Sequence, residues 1–240
     1  MKSWICIFVF LFSACASSPF NGPNPFEHTE LLLDAEETIG GLIHASQIPQ
    51  KLLGHTKAIV VFPNLLKAAM IAGARVGKGV VIVRSPKTGK WNPPAFVKSR
   101  QASWGIQAGI QRAELVLLVM TNKGLKQLFK TQYDLGKGPQ IALGPVGKTI
   151  DLNLQKVLNK NDIFAYSCIE GLFAGCSFEG TVISSDKQAN YEYYQQPVSN
   201  RNLLMGHEGI KVPASGRAFL QRMNKLAPTK RRATPGGNGQ

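Results

Sequence analysis

The sequence has few acidic residues, few cysteines and little charge overall. Only 14 of its 240 residues are Asp or Glu, against 28 Lys or Arg, and charged residues make up 18% of the chain. The net charge of +14 is typical of proteins that meet anionic partners such as nucleic acid, phospholipid surfaces or acidic proteins. Four Cys are too few for a disulfide-rich scaffold. Because 44% of the residues are hydrophobic, the chain can build the core of one domain, which excludes disorder over most of its length.

The longest apolar run is too short to span a membrane. Trp4–Phe12 has nine residues, about half of the ~20 that a spanning helix needs. It follows Lys2 and precedes the small residues Ser13 and Ala14. This order of charge, apolar run and small residues is typical of an export signal peptide.

The end of this segment is similar to the bacterial lipobox. Leu11–Cys15 places small residues directly before a Cys, which in the lipobox is lipidated and becomes the first residue of the mature protein. Ala16 follows, and by the same resemblance it favours the outer membrane. We therefore predict a lipoprotein signal peptide over residues 1–14 and a lipid anchor on Cys15, with the protein on the periplasmic side of the outer membrane. Ordinary signal cleavage beside an incidental Cys is the alternative.

Two segments of low complexity flank a single predicted domain. Residues 15–28 are rich in Ser, Pro, Gly and Asn and lack apolar periodicity, which predicts a flexible tether. Residues 228–240 contain Lys230, Arg231 and Arg232 followed by Gly and Pro, which predicts a disordered basic tail. The domain therefore covers residues 29–227.

Apolar patterns within the domain predict an α+β fold with a dominant sheet. Thr29 precedes an amphipathic stretch over residues 30–45, and a second one covers 215–226, so helices are expected at both ends. Thr121 is expected to cap a short helix. The predicted β core is predominantly antiparallel or barrel-like. Its strands are expected at 58–63, 79–83, 95–97, 114–120, 150–154, 163–166 and 181–183.

No motif of a catalytic, nucleotide or metal site is complete. Gly144–Thr149 ends like a phosphate-binding loop, but Ala142 occupies the position of the first Gly, and the residues that follow alternate like a strand. The four His are scattered without the spacing of metal ligands. We predict no catalytic residue, no metal and no cofactor, and therefore a protein that is not an enzyme.

Two further groups of residues leave alternatives open. The glycine-rich string Gly73–Gly79 favours a tight bend between strands over a phosphate site. Cys168 and Cys176 are either a disulfide, because the exported compartment is oxidising, or two small core residues.

Several short motifs, in order, resemble the SYLF domain, also known as the Ysc-type actin-binding domain. They are Lys57–Pro63, the S-x-G-x-Q-x-G-x-Q pattern at 103–111, the Gly-rich string Gly171–Gly175, and the D-x3-N-x2-Y-Y pattern from Asp186 to Tyr194. The resemblance covers about 31–226. It implies a phospholipid-binding module, since eukaryotic relatives bind phosphoinositides through basic residues and some bind actin, whereas bacterial relatives are exported and often lipoproteins. It brings no catalytic residue.

We therefore predict an envelope lipoprotein that binds anionic phospholipid head groups. The alternative is an envelope scaffold that binds a protein partner through the edge of its sheet, and the exported location argues against nucleic acid. Ser103, Gln107 and Gln111 alternate along a strand-like stretch, as either a hydrogen-bond ladder or the floor of a ligand groove. The basic residues that flank the motifs are the predicted lipid-binding residues. They are Lys51, Lys57, Lys67, Arg75, Lys78, Lys98 and Arg100.

Overall fold

The computed structural model describes most of the predicted domain. It covers residues 25–69, 72–104, 109–135, 137–138, 140–144, 161–169, 172–173 and 181–229. At 66–69, 72–75, 101–104, 109–112, 167–169 and 172–173 the description is of the backbone. The predicted signal peptide, Cys15, the predicted strand at 150–154 and the tail from residue 230 lie outside these ranges.

The described part contains six helices and nine strands. The helices are α1 (Pro25–His44), α2 (Gln50–Leu53), α3 (Asn122–Leu128), α4 (Lys187–Tyr194), α5 (Asn200–Met205) and α6 (Ala214–Leu226). The strands are β1 (Ala58–Ala69), β2 (Ala72–Val83), β3 (Ala95–Trp104), β4 (Gly109–Val119), β5 (Gln132–Asp134), β6 (Ile141–Leu143), β7 (Ile163–Ile169), β8 (Leu172–Phe173) and β9 (Thr181–Ser185).

The strands form one curled sheet in the order β5-β9-β3-β2-β1-β4-β7-β6, with β8 paired to β7. All pairs are antiparallel except β6 with β7. Helices α1 and α6 pack on each other, and α1 also packs on β1 and β2. The predicted fold class, a mostly antiparallel β core with helices at both ends, is confirmed.

Each of the four central strands has one end at which successive side chains are buried. At the inner ends, consecutive residues such as Ile59, Val60 and Val61 are all buried, so both faces of the sheet are covered there. Apolar runs of this kind are what a strand buried on both faces requires. The outer strand ends, as we call them, are residues 64–69 of β1, 72–78 of β2, 98–104 of β3 and 109–113 of β4.

The structure lengthens several predicted elements. The predicted strands at 58–63 and 79–83 are the inner ends of strands twice as long, and Gly73–Gly79 lies within β2, so the predicted bend there is wrong. The S-x-G-x-Q pattern is not a single strand, because β3 ends at Trp104 and β4 begins at Gly109.

The sequence predicts the helices at the two ends and the one after Thr121, but it does not predict α4 or α5. Helix α1 begins at Pro25, so residues 25–28 belong to the helix and not to the predicted tether, and Thr29 lies inside it instead of capping it. The predicted cap of α3 is confirmed, since the Thr121 hydroxyl accepts a hydrogen bond from the Gly124 N–H at 3.1 Å. The last helix agrees with the prediction to within one residue.

Arg84 closes the inner end of the fold. Its guanidinium donates to the backbone oxygens of Leu53 (3.2 Å) and Ala227 (2.9 Å) and stacks on the Trp91 ring at 3.9 Å from the ring centre. It also donates to the Thr229 hydroxyl at 2.7 Å, which ties the start of the predicted tail to the domain. Burial lowers the pKa of Arg84 to about 10, so the group still carries its charge at neutral pH.

Substitution by alanine should have opposite effects on stability at two glycines. A Cβ at Gly79 would lie 2.5 Å from the backbone oxygen of Val61, which cannot move aside, whereas Gly41 of α1 has no atom within 4 Å of its Cβ position. We expect Gly79→Ala to lower the free energy of unfolding by about 1–3 kcal/mol through overpacking. Gly41→Ala should raise it by about 0.5–1 kcal/mol because alanine favours the helix.

Urea unfolding of residues 16–240, which contain every described residue, measures both changes. Equal effects of the two substitutions would contradict the close strand packing at Gly79.

Candidate functional site

A cleft of about 500 Å³ lies between α1, the central strands and α4. The amino-terminal half of α1 forms one wall, β1 to β3 form the base where their outer ends begin, and the start of α4 closes the far side. The apolar part of the lining consists of Leu31, Pro63, Val76, Phe96, Val97 and Ala189. The charged part consists of Glu27, Glu30, Asp34, Lys78, Lys98, Arg100 and Asp186.

Two of the three cations in this cleft already have carboxylate partners. Lys78 of β2 forms an ion pair with Glu27 in the first turn of α1, with both side chains about half exposed. Lys98 of β3 forms an ion pair with Asp186 at 3.1 Å, and the Asp186 side chain is only 5% exposed. A buried carboxylate requires such a partner, so Lys98 serves as the counter-ion of Asp186 within the fold.

The remaining charges of the cleft are unpaired and stand on opposite walls. Arg100 on β3 is exposed and has no ion-pair or hydrogen-bond partner among the described residues. Glu30 and Asp34 are one turn apart on α1, are also exposed, and have no ion-pair partner there either. After pairing, the cleft therefore keeps one positive group facing two negative groups.

The far wall is fixed by a side chain that imitates a strand partner. Asn190 of α4 is fully buried, and its Oδ1 accepts from the Phe96 N–H at 2.9 Å while its Nδ2 donates to the Phe96 oxygen at 3.1 Å. The Asp186 carboxylate caps α4 by accepting from the Ala189 N–H at 3.2 Å. The Tyr194 hydroxyl donates to the Pro94 oxygen at 2.5 Å. The D-x3-N-x2-Y-Y motif thus docks α4 on β3.

Helix α1 is held against the same wall by His28. Its ring is buried, 3% exposed, and its Nε2 lies 3.1 Å from Glu192 of α4. The ring also packs on Phe96 and Tyr193, with ring centres 5.1 Å and 6.2 Å away. Burial raises the pKa of Tyr193, whose hydroxyl bonds to Ser215 at 2.9 Å. These contacts place the acidic first turns of α1 over the cleft.

The structure brings together five of the seven predicted basic residues. Lys78, Lys98 and Arg100 line the cleft, and Lys67 and Arg75 are direct cross-strand neighbours at the outer strand ends. Lys51 in α2 and Lys57 just before β1 lie at the inner end, so they do not belong to the same surface.

The predicted polar row is divided between strands. Ser103 of β3 pairs with Gly73 of β2, and Gln111 of β4 pairs with Lys67 of β1. Gln107 lies outside the described residues. Cys168 lies in β7, and Cys176 is outside the described ranges. The disulfide and the lipid anchor at Cys15 therefore remain predictions.

Sequence reasoning missed the acidic wall of the cleft. Glu27, Glu30 and Asp34 recur at helical spacing, which would have placed them on one face if the helix had been extended to Pro25. The partner of Lys98, Asp186, is too distant in the chain to be found by spacing.

Neither a metal centre nor a membrane span occurs in the part of the chain that the structure describes. It contains no group of three His, Cys, Asp or Glu residues able to hold a metal ion. None of its helices is long and apolar enough to cross a membrane.

A family model described as Ysc84, Las17-binding protein actin regulator, matches residues 100–226, from the outer end of β3 to the end of α6. The chain belongs to the Ysc84 family. This finding confirms the SYLF resemblance and includes the α4 motif that closes the cleft. The family description names a binding protein and actin regulator, and no enzyme family is indicated.

Three named relatives are eukaryotic proteins. The SH3 domain-containing YSC84-like protein 1 of Homo sapiens is 28% identical over 66% of this chain and 46% of its own length. Protein YSC84 of Saccharomyces cerevisiae is 27% identical over 75% of this chain and 38% of its own. LAS seventeen-binding protein 3 of the same yeast is 30% identical over 66% of this chain and 35% of its own length. The chain thus covers about half, or less, of these relatives.

The role of Asn190 predicts a large effect of a nearly isosteric change. Asn190→Asp replaces the donating NH2 with an oxygen that faces the carbonyl oxygens of Phe96 and Asp186, and it adds a buried charge. We expect the free energy of unfolding to fall by about 2–4 kcal/mol. Asn202→Asp, at an exposed position in the first turn of α5, is the matched control and should change it by less than about 0.5 kcal/mol. Equal losses in urea unfolding would contradict the docking role of Asn190.

Proposed function

We propose that this Ysc84-family protein is an exported lipoprotein that binds anionic phospholipid and catalyses no reaction. Its lipid anchor would be Cys15, and its place the periplasmic side of the outer membrane. The observation that carries the proposal is the position of the first turn of α1, which contacts Lys78 and lies beside the basic outer strand ends. The described chain therefore begins beside the segments that hold Lys67, Arg75, Lys78, Lys98, Arg100 and Arg112.

The outer strand ends carry positive charge without compensating acid in the same segments. They contain six basic residues and no Asp or Glu. Lys78 and Lys98 are neutralised by partners from other elements. The other four can each contribute about 1 kcal/mol when they approach an anionic leaflet. They are Lys67, Arg75, Arg100 and Arg112.

The predicted anchor holds this surface within reach of the bilayer. Pro25 lies ten positions after Cys15, and an extended chain of that length spans at most about 35 Å. Phe26, 79% exposed, and Val76, 49% exposed, lie near this end and supply apolar side chains of the kind that enter the head-group region.

Removing cations from the outer strand ends should weaken membrane binding. Lys67→Gln with Arg75→Gln removes two charges there, and Lys87→Gln with Lys90→Gln removes two from the exposed turn between β2 and β3 at the inner end. The measurement is flotation of residues 16–240 with phosphatidylglycerol vesicles at low salt. The Lys67→Gln, Arg75→Gln variant should bind with a Kd at least about tenfold weaker than that of the unchanged protein. The second pair should change it less than about twofold.

Equal losses in both pairs would show that net charge alone drives binding and would contradict a specific surface. Absence of flotation with any anionic vesicle would contradict the proposal itself. It would favour a second candidate, an envelope scaffold that binds protein at the sheet edge, where Leu143 of β6 is 50% exposed. The name of the relative LAS seventeen-binding protein 3 describes protein binding of this general kind.

The anchor makes a separate prediction. The full chain expressed in a bacterium should yield a mature protein that begins at Cys15 and carries fatty acyl groups, detectable by mass spectrometry of the intact protein. Cys15→Ser should abolish the acyl mass. A mature protein without acyl groups, or uncut residues 1–14, would contradict the lipoprotein assignment and leave the lipid-binding surface to be judged by flotation.

A further inference from the structure

The charges left unpaired in the cleft do not suit a simple anion. Lys78 and Lys98 are occupied by Glu27 and Asp186. What remains is Arg100 on the β3 wall and the carboxylates Glu30 and Asp34 on the α1 wall. Their sum is −1, so phosphate alone would meet more repulsion than attraction in this space.

Arg100 makes no ion pair with either carboxylate of the α1 wall. No nitrogen of Arg100 lies within 4.0 Å of an oxygen of Glu30 or Asp34, although the three line one cleft. The cleft volume of about 500 Å³ falls within the ~300–1,000 Å³ of small-molecule sites. Leu31, Val76 and Phe96 give the same space an apolar part.

We propose that this cleft binds the phosphoethanolamine head group of a phospholipid, with the phosphate at Arg100 and the ammonium at Glu30 and Asp34. A guanidinium recognises phosphate through paired N–H donors, and a primary ammonium offers three donors to the carboxylates. The apolar lining receives the glycerol and the first carbons of the acyl chains. The inference rests on the proposed membrane function and names the head group that this surface selects.

The same chemistry separates this head group from its neighbours in a bilayer. Phosphatidylcholine carries a quaternary ammonium that has no N–H to donate, so the carboxylates gain only a screened charge contact. Phosphatidylglycerol has no cation, so Glu30 and Asp34 oppose its phosphate. A soluble ester such as glycerophosphoethanolamine shares the recognised groups but lacks the chains.

The test compares vesicles of equal phosphatidylglycerol content in which phosphatidylethanolamine replaces phosphatidylcholine. Residues 16–240 should bind the ethanolamine vesicles about fivefold more tightly, the factor that corresponds to about 1 kcal/mol of exposed ion pairing. Glu30→Gln with Asp34→Asn should abolish that preference while binding to phosphatidylglycerol–phosphatidylcholine vesicles stays equal or tightens, because two negative charges are lost.

The matched control removes the same charge elsewhere. Glu37→Gln with Glu208→Gln changes two exposed carboxylates that do not line the cleft, so it should keep the ethanolamine preference. Because ethanolamine lipids also alter bilayer packing, loss of the preference in the cleft variant and its retention in the control is the deciding result.

Each other outcome is decisive as well. Equal binding to the two vesicle types, or a preference that survives the cleft variant, would overturn the head-group proposal and leave anionic membrane binding intact. Failure to bind any vesicle would overturn the membrane function. In that case titration calorimetry with glycerophosphoethanolamine tests whether the cleft binds the soluble ester. A binding heat that is lost in the Arg100→Gln variant would support such a site, and the absence of any binding heat would overturn it.

Discussion

The cleft depends on one side chain that takes the place of a strand. Asn190 presents an acceptor and a donor to the backbone of Phe96, as a neighbouring strand would, but it does so from a helix. With α4 fixed in this way, Asp186 is carried to the end of Lys98, and Glu192 is carried to His28 of α1. Both walls of the cleft are therefore positioned through the same few hydrogen bonds. The buried amide is costly unless all its groups are satisfied, which explains why Asn190 also donates to Asp186 and Asn200.

The same contacts decide which basic residues are available for binding. The basic surplus of the sequence suggests a uniformly cationic face, but the structure neutralises Lys98 by a buried acid and Lys78 by an exposed one. An exposed pair contributes only about 0–1 kcal/mol, so the pair of Lys78 with Glu27 is the weaker of the two. The Lys98 pair cannot be broken without leaving Asp186 buried and uncompensated. Net charge therefore overstates the cationic surface, and position within the fold corrects it.

The parts of the fold that the sequence predicts well are those in which local and tertiary demands agree. The inner strand ends are apolar on both faces, and Thr121 sits where a helix must begin, so periodicity and capping chemistry identify them. The outer end of β2, residues 72–78, mixes Gly with basic residues and carries no apolar pattern, so local rules predict a bend there. Cross-strand pairing on both sides maintains it as a strand. For the site, the cations could be nominated from sequence, but the acids of α1 and the Asp186–Lys98 pair arise from contacts far apart in the chain.

A surface of this strength is consistent with a tethered protein. In the proposed function, Lys67, Arg75, Arg100 and Arg112 at about 1 kcal/mol each would give weak association that salt screens readily. An acyl anchor within about 35 Å of α1 would convert that association into an intramolecular event with an effective concentration on the order of millimolar. Weak contacts then suffice to orient the domain, and a cleft of mixed charge can sample individual head groups without holding the protein rigidly. Since Phe26 and Glu27 occupy the very first turn of α1, any pull from the anchor acts directly on the wall that carries Glu30 and Asp34. In the proposed function, anchoring and head-group selection would thus be mechanically connected through helix α1, which packs against α6 and the sheet.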